Sequence, residues 1–301
     1  MANLFGIAVA QTQVVPWDVE KTVQRMEQRL HYVRQAFPWV NLVCFPELCP
    51  TGVAPLEPRP EGYTWDATAE PIPGPLTERL ADMARRYRFW LQPGSFYERD
   101  GDAVYNTALV FSPEGELVAR YRKMFPWRPW ELSSTGRDFC VFDIPAVGRF
   151  GLCICYDGWF PEVIRTLAWM GAEVVIHPAL TSTVDRSVEL IIEQAQAIFN
   201  QCYMINANLP PMGGCGRSII VDPNGRILQQ AGTDDEILTE VIDLDLVQQV
   251  RELGSVGLNQ HFKQLRDFDG DFPVYNQCVR KEGVLFRNLG PLRLPQDLNN
   301  K

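Results

Sequence analysis

The 301-residue sequence has little positive charge and no long apolar run, and each of these absences excludes a class of protein. It carries 28 Lys and Arg against 37 Asp and Glu, which gives a formal net charge of −9. An acidic chain without a basic block is a poor binder of nucleic acid and of anionic membrane surfaces. No apolar run reaches the roughly 20 residues that a membrane-spanning helix needs. The sequence therefore predicts neither a nucleic-acid partner nor a membrane association.

Signals for metal binding and secretion are equally sparse. The three histidines lie far apart in the sequence, and no two of the eight cysteines form a CxxC pair. The sequence therefore offers no zinc-binding spacing. The first residues lack the basic and apolar regions of a signal peptide. Because the cysteines are few for this length and several fall in apolar runs, we expect reduced thiols and a cytoplasmic protein.

The composition itself is that of an ordinary globular protein, with 46% hydrophobic and 22% charged residues. Strand-like and helix-like patterns follow in the same order twice, over about 5–121 and 150–231, as strand, helix, strand, helix, strand and hairpin. This alternation predicts βαβ units with antiparallel strands added by the hairpins, and hence an α/β fold. Two separate domains also fit the pattern. No linker-like composition divides the halves, so one domain is the preferred interpretation.

Cys155 stands out by its position in this pattern. It follows an apolar strand-like run at 150–154 and precedes a helical pattern that Pro161 and Glu162 open. A thiol between a strand and a helix lies near backbone N–H groups that favour a thiolate or an oxyanion. The alternative is a buried cysteine that packs as a small hydrophobic residue. Its position alone leaves both interpretations open.

Glu47 and Lys123 also follow strand-like runs, and strand ends of an α/β sheet converge on the edge where ligands bind. The apolar neighbours of Glu47 predict partial burial, which raises the pKa of a carboxyl group toward that of a general base. A thiol needs such a base, and a lysine nearby would stabilise an oxyanion. Alternatively, Glu47 could cap a helix or form an ion pair, and Lys123 could be a surface residue.

From about residue 5 to residue 245, the order and spacing of several short motifs resemble the nitrilase superfamily of carbon–nitrogen hydrolases. These motifs are Phe45-Pro46-Glu47, Tyr121-Arg122-Lys123, Cys155-Tyr156-Asp157 with Phe160-Pro161-Glu162, Gly171-Ala172-Glu173, Asn200-Gln201-Cys202-Tyr203 and the turn Asp222-Pro223-Asn224-Gly225. The resemblance implies a four-layer αββα sandwich of two mixed sheets with helices outside. It implies one carbon–nitrogen hydrolase domain at 1–245 and a homo-oligomer built from dimers. We expect the weakly periodic residues 246–301 to form an extension that packs on a partner subunit.

The same resemblance implies a Glu-Lys-Cys triad. Carried over by position, Cys155 is the nucleophile, Glu47 the general base and then acid, and Lys123 the oxyanion stabiliser. The Tyr156 backbone N–H is the second oxyanion donor. The Pro- and Trp-rich run that ends at Glu131 is similar to a loop of aliphatic amidases and formamidases. Glu131 is then a fourth member that orients the substrate amide and the hydrolytic water.

Two details bear on the branch of the family. Nitrilases proper usually carry Cys-Trp-Glu at the nucleophile, whereas this chain has Cys-Tyr-Asp, which favours the amidase side. Gln194 and Phe199 stand where related amidases usually have an arginine and a glutamate. An ion pair that is common there is therefore missing.

We therefore predict cysteine-dependent hydrolysis of a small carboxylic amide to the acid and ammonia through a thioester, with no metal and no cofactor. The alternatives use the same triad. One is hydrolysis of an N-carbamoyl amino acid or amine, in which Arg128 or Arg186 could bind a substrate carboxylate, and the other is hydrolysis of a nitrile. A binding protein that keeps the fold without turnover would lack a triad member, and all three positions are filled.

Aromatic residues near these motifs predict the walls of a small substrate pocket, with ordinary core packing as the alternative. For His177, which ends a strand in the same region, the alternative is a structural hydrogen bond. The predicted pocket residues are Trp127, Trp130, Trp159, His177 and Tyr63 or its neighbour Trp65.

Overall fold

The computed structural model describes residues 2–53 and 58–275, which form two mixed β-sheets flanked by helices. The strands are β1 (Leu4–Gln11), β2 (Leu42–Cys44), β3 (Trp90–Gln92), β4 (Ser95–Asp100), β5 (Ala103–Phe111), β6 (Leu117–Arg122), β7 (Cys140–Ile144), β8 (Gly148–Leu152), β9 (Val174–Ala179), β10 (Tyr203–Asn208), β11 (Ile219–Val221), β12 (Ile227–Gln230) and β13 (Glu236–Asp243). The helices are α1 (Val19–Ala36), α2 (Pro75–Tyr87), α3 (Pro161–Trp169), α4 (Arg186–Asn200), α5 (Leu244–Leu253) and α6 (His261–Asp267), with 3-10 helices at Cys49–Thr51, Cys155–Trp159 and Pro273–Tyr275.

Local sequence explains why α1 begins where it does and which face it buries. Asp18 caps the helix, because its side chain accepts a hydrogen bond from the Lys21 backbone N–H. Apolar residues three and four positions apart lie on one face of the helix and are buried against the first sheet. They are Val23, Met26, Leu30 and Val33.

Each sheet has a parallel centre and antiparallel edges. The first sheet has the strand order β13-β1-β2-β3-β5-β4, and β6 also pairs with β5. The second sheet has the order β12-β11-β10-β9-β8-β7, with β8, β9 and β10 parallel. This arrangement confirms the βαβ units and hairpins predicted from the repeated pattern.

The two sheets pack face to face, and the helices cover their outer faces. Alternate residues of β1 show the two directions: Phe5, Ile7 and Val9 belong to the core between the sheets, whereas Ala8 and Ala10 pack against α1 and α2. On the opposite side, α3 and α4 cover the second sheet. The predicted four-layer αββα sandwich is therefore confirmed.

Two strand predictions differ from the structure in detail. The apolar run at about 89–96 predicts one strand, but the structure divides it into β3 and β4, because Gly94 adopts a left-handed φ of 89°. A Cβ at Gly94 would lie 1.9 Å from the Pro46 carbonyl oxygen, so only glycine fits there. In addition, β7 forms in a segment for which we predicted no element.

Helix α5 crosses the boundary that we predicted after residue 245. Asp243 caps the helix, and Leu244, Val247 and Val250 are buried, so the packed part of the chain reaches Leu253. The rest of the predicted extension includes α6, while residues 276–301 lie outside the described residues. No helix of the described part is both long and apolar enough to cross a bilayer.

Candidate active site

The four side chains predicted to act together come from both sheets and meet at one edge of the sandwich. Glu47 lies three residues after β2, Lys123 directly after β6, and Cys155 three residues after β8. Glu131 belongs to the irregular segment that follows Lys123. Glu47, Lys123 and Glu131 are almost completely buried, whereas Cys155 is partly exposed.

The Lys123 ammonium group lies between the two carboxylates. Its Nζ is 2.8 Å from Glu47 Oε1 and 2.7 Å from Glu131 Oε2. Burial lowers the pKa of a lysine, but the two carboxylates outweigh burial and hold the pKa of Lys123 well above its ordinary value. Lys123 therefore carries a positive charge inside the site.

The pKa values of the two glutamates are shifted in opposite directions. Burial raises the pKa of Glu47 above its ordinary value, although Lys123 opposes this effect. Burial acts on Glu131 in the same way, but Lys123, Asn106 Nδ2 and the Trp127 backbone N–H together lower its pKa below the ordinary value. Carboxyl groups with separated pKa values can divide the work, one exchanging a proton while the other stays ionised.

Asn106, in β5, is a member of this cluster that sequence analysis missed. Its Nδ2 donates to Glu47 Oε1 at 2.8 Å and to Glu131 Oε1 at 2.9 Å. Its backbone carbonyl accepts a hydrogen bond from the Lys123 N–H at 2.8 Å. Asn106 thus bridges the two carboxylates and fixes the backbone of Lys123. The available signal was a single asparagine within an otherwise strand-like run, since buried amides need partners.

Cys155 begins the 3-10 helix in a left-handed conformation, with φ of 46°, which is uncommon for a residue other than glycine. Its thiol lies close enough to Glu47 and Lys123 for both charges to act on it. Burial and the Glu47 carboxylate raise the pKa of the Cys155 thiol well above its ordinary value, although Lys123 opposes them. The thiol is therefore protonated at rest, with Glu47 in position to accept its proton.

Asp157 fixes the turn that carries Cys155 and Tyr156. One carboxylate oxygen accepts from the Phe125 N–H, and the other accepts from the Tyr121 hydroxyl and the Ile154 N–H, all at 2.8–3.0 Å. Burial raises the pKa of Asp157 even though Lys123 and these donors oppose it. Tyr156 is the second residue of the 3-10 helix. The N–H groups of a first helical turn have no acceptor inside the helix, so they can serve a ligand.

A cavity of about 40 Å³ opens beside Cys155. Two of the predicted aromatic residues, Trp127 and Trp159, line it. The other lining residues are Tyr156, Leu180, Thr181, Ser182, Thr183, Asp185 and Glu189.

The remaining predicted pocket residues lie elsewhere. Trp130 lines a second cavity with Trp17 and Trp65. Tyr63 packs edge-on against Trp17, with ring centroids 5.8 Å apart. His177 lies behind the nucleophile, where its Nε2 donates to the Cys155 carbonyl at 2.8 Å.

Both arginines considered for a substrate carboxylate are bound to protein groups. Arg128 donates to the carbonyl oxygens of Glu131 and Ser133. Arg186 is buried and forms an ion pair with Glu189 at 3.0 Å. The other acceptors of Arg186 are Asn206 Oδ1 and the carbonyl oxygens of Gly216 and Arg217.

The replacements on α4 lie away from Cys155. Gln194 donates to the Gly225 carbonyl at 2.9 Å, and Phe199 is exposed. Two other residues of α4 reach the Cys155 turn. Gln196 Nε2 donates to the Gly158 carbonyl at 3.2 Å, and Glu189 Oε1 accepts from Trp159 Nε1 at 3.3 Å. Among residues 2–53 and 58–275, no group of three or more His, Cys, Asp and Glu side chains is placed to hold a metal ion.

Comparison with known proteins gives the family. The model of a family described as carbon-nitrogen hydrolase matches residues 6–252. A formamidase from Bacillus cereus strain B4264 is 29% identical over 244 residues, which cover 78% of this chain and 71% of that protein. A formamidase from Bacillus anthracis matches with the same identity and coverage.

Solved structures show the same fold at lower sequence identity. A carbon-nitrogen hydrolase from Helicobacter pylori G27 matches with a TM-score of 0.76 and 24% identity, over 93% of this chain and 99% of that one. An amidase from Nesterenkonia sp. AN1, solved in complex with butyramide, matches with a TM-score of 0.71 and 23% identity, over 88% and 97%. The chain belongs to the carbon–nitrogen hydrolase family.

Proposed function

We propose that this enzyme hydrolyses a small, uncharged carboxylic amide to the acid and ammonia through a thioester on Cys155. The observation that carries the proposal is the buried cluster of Glu47, Lys123 and Glu131, with the Cys155 thiol close enough to Glu47 and Lys123 for both charges to act on it. The formamidases among the relatives support the substrate class.

In the first step, Glu47 takes the thiol proton while the sulfur attacks the amide carbonyl carbon. The raised pKa of Glu47 suits it to this transfer. The S–C bond forms, and the carbonyl electron pair moves onto oxygen. Lys123 and the Tyr156 N–H stabilise this oxyanion. Because Glu47 becomes neutral as the oxyanion forms, the net charge around Lys123 does not change.

In the following steps the proton on Glu47 passes to the amide nitrogen, the C–N bond breaks and ammonia leaves. The acyl group then remains on Cys155 as a thioester. Glu47 next deprotonates a water molecule that attacks the thioester, and the sulfur leaves and recovers its proton. The ionised Glu131 orients first the substrate NH₂ group and then this water.

The cavity beside Cys155 supports a small and uncharged substrate. Its volume of about 40 Å³ exceeds the roughly 10–15 Å³ that a cavity needs to hold one water molecule and is far below the roughly 300–1,000 Å³ of pockets for drug-sized ligands. Its charged lining residues are the acidic Asp185 and Glu189. Since Arg128 and Arg186 are both bound to protein groups, this wall disfavours the carboxylate of a carbamoyl amino acid.

The test is a substrate panel in which ammonia release is measured from formamide, acetamide, N-carbamoylglycine and acetonitrile. We expect turnover of the amides, no turnover by Cys155→Ala, and unchanged turnover by Cys140→Ala, which removes a thiol from β7. The mass of the quenched wild-type protein should increase by one acyl group, whereas the mass of Cys155→Ala should not change. Full amide turnover by Cys155→Ala would refute the proposal. Faster turnover of acetonitrile or N-carbamoylglycine than of the amides would show that the substrate belongs to that other class.

We also propose a homo-oligomer built from dimers, in the cytoplasm. The outer face of α4 exposes Val188, Ile191 and Phe199, which are 45%, 66% and 59% accessible. A contiguous apolar face of this kind is typical of a protein–protein contact. The seven cysteines in the described residues are all free, which supports a reducing compartment.

A further inference from the structure

The peptide bond between Cys155 and Tyr156 has a partner on each side in the proposed mechanism. Its N–H is the proposed oxyanion donor, and its carbonyl oxygen accepts a hydrogen bond from His177 Nε2 at 2.8 Å. We propose that His177 and Glu193 form a positioning pair that fixes and polarises this oxyanion-binding peptide. The inference rests on the proposed function, because it assigns a purpose to the Tyr156 N–H within that reaction.

The contacts of the ring determine how many protons the pair holds. His177 Nε2 faces a carbonyl oxygen, so it must carry a proton. Nδ1 is 2.5 Å from Glu193 Oε1, and two acceptors approach this closely only with a proton between them. The pair therefore holds two protons and is neutral as a whole, an imidazolium beside a carboxylate.

The pair is held rigidly against the turn. Asn206, the neighbour of His177 across the strand pair β9–β10, donates from its Nδ2 to Glu193 Oε1 at 3.0 Å. On the other side, a Cβ at Gly158 would lie 2.5 Å from His177 Cε1, so the ring packs directly on the backbone. His177 and Glu193 are 4% and 2% exposed.

A hydrogen bond to the carbonyl of a peptide polarises the whole amide, so the N–H of Tyr156 becomes a stronger donor. A charged donor strengthens this effect. Burial lowers the pKa of His177, but Glu193 and the Cys155 carbonyl outweigh burial and hold the pKa above its ordinary value. The charged or titratable groups that face the ring are Glu193 and Glu189 from α4 and Cys155 from the 3-10 helix. Loss of the proton at alkaline pH leaves a net negative charge beside the oxyanion site.

The test compares kcat and KM over a range of pH for wild type, His177→Gln, Glu193→Gln and the matched control His31→Gln on the exposed face of α1. His177→Gln keeps a side-chain donor that cannot titrate. We expect kcat to fall about tenfold with little change in KM, less than the 100- to 1000-fold cost of deleting an oxyanion donor outright. Glu193→Gln should move the alkaline limb of kcat to lower pH, because the carboxylate that raises the pKa of His177 is gone.

The proposal is overturned if folded His177→Gln and Glu193→Gln enzymes keep the wild-type kcat and the wild-type alkaline limb. If His177→Gln does not fold, the position of the alkaline limb in Glu193→Gln decides. Failure of this inference is distinct from failure of the proposed function. An inactive Cys155→Ala together with unchanged His177→Gln removes only the positioning pair, whereas an active Cys155→Ala removes the mechanism itself.

Discussion

Lys123 Nζ lies 2.8 Å from Glu47 Oε1, and both side chains are almost completely buried. With Glu131 at 2.7 Å, one ammonium group compensates two carboxylates. Removing one partner of a buried ion pair leaves an uncompensated charge, which costs far more than the pair itself contributes. The same three groups therefore matter for both catalysis and stability.

Replacing Lys123 by Met should damage both properties. We expect the free energy of unfolding to fall by about 3–5 kcal/mol and turnover to fall by roughly 100-fold or more, because an oxyanion partner is lost. Urea denaturation and ammonia release measure the two effects. The matched control is Lys21→Met, because the Lys21 side chain is 68% exposed. Equal losses in both variants would contradict the role assigned to Lys123.

Replacing Asn106 by Ala should change the pH dependence of the reaction. The amide donates to both Glu47 and Glu131, and loss of a donor to a carboxylate raises its pKa. The acid limb of kcat/KM should therefore move to higher pH, and stability should fall by about 1–3 kcal/mol. Thr107→Val is the control. Thr107 lies next to Asn106 in β5, and the substitution removes its buried hydrogen bond to Glu98. An acid limb that moves equally in both variants would count against the role of Asn106.

Gly94→Ala should displace the Glu47 loop. The new Cβ would lie 1.9 Å from the Pro46 carbonyl oxygen, at a φ of 89°. Gly101→Ala is a matched control, because φ there is 58° and no atom lies within 4 Å of the added Cβ. The control should lose about 1 kcal/mol from backbone strain alone. Gly94→Ala should lose more stability than this and should also lose turnover. In thermal unfolding, equal shifts of the melting temperature in both variants would disprove the steric argument.

His177 should make stability depend on pH in one direction. Its pKa in the folded state is raised above its unfolded value, so the protonated pair stabilises the fold fully below the unfolded pKa, near 6.5. This contribution is lost as the pH rises through the folded pKa. The difference in unfolding free energy between wild type and His177→Gln should therefore be largest in mildly acid solution and shrink at alkaline pH. A difference that grows with pH would show that the fold stabilises the neutral form of His177 instead.

Ile191→Glu should weaken the proposed association. Ile191 is 66% exposed on α4, and a charge there makes burial against a partner unfavourable. Sedimentation velocity should show a smaller species for this variant than for wild type. Tyr32→Glu on α1 is the control, and it should leave the particle size unchanged. If both variants sediment as wild type does, α4 is not the contact.

Much of this structure could be predicted because it depends on strong local patterns. The spacing of Val23, Met26 and Leu30 predicts α1, and the order of strands and helices predicts two mixed sheets. Strand ends place Glu47, Lys123 and Cys155 in one region, since parallel strands direct their carboxyl ends to the same edge.

The rest depends on contacts through space or on short signals. Asn106 joins the cluster only because β5 pairs beside Lys123. Strand β7 buries two alternate residues, Phe142 and Ile144, which is too short a period to recognise. Which aromatic residues face Cys155 depends on the path of the irregular segment 124–139. The sequence of that segment has no period from which to predict that Trp127 faces the cavity and Trp130 faces away.

The pairing of β13 with β1 over eight residues joins the two halves of the chain. A cut between residues 136 and 139 would leave Glu47, Lys123 and Glu131 on one fragment and Cys155 on the other. The second fragment would also carry β13, a strand that the sheet of the first one lacks. Neither piece could turn over an amide. The first would expose the edge of β1, and the second would carry β13 without its partner strand. The enzyme is thereby suited to fragment complementation, in which ammonia release reports that the two sheets have reassembled.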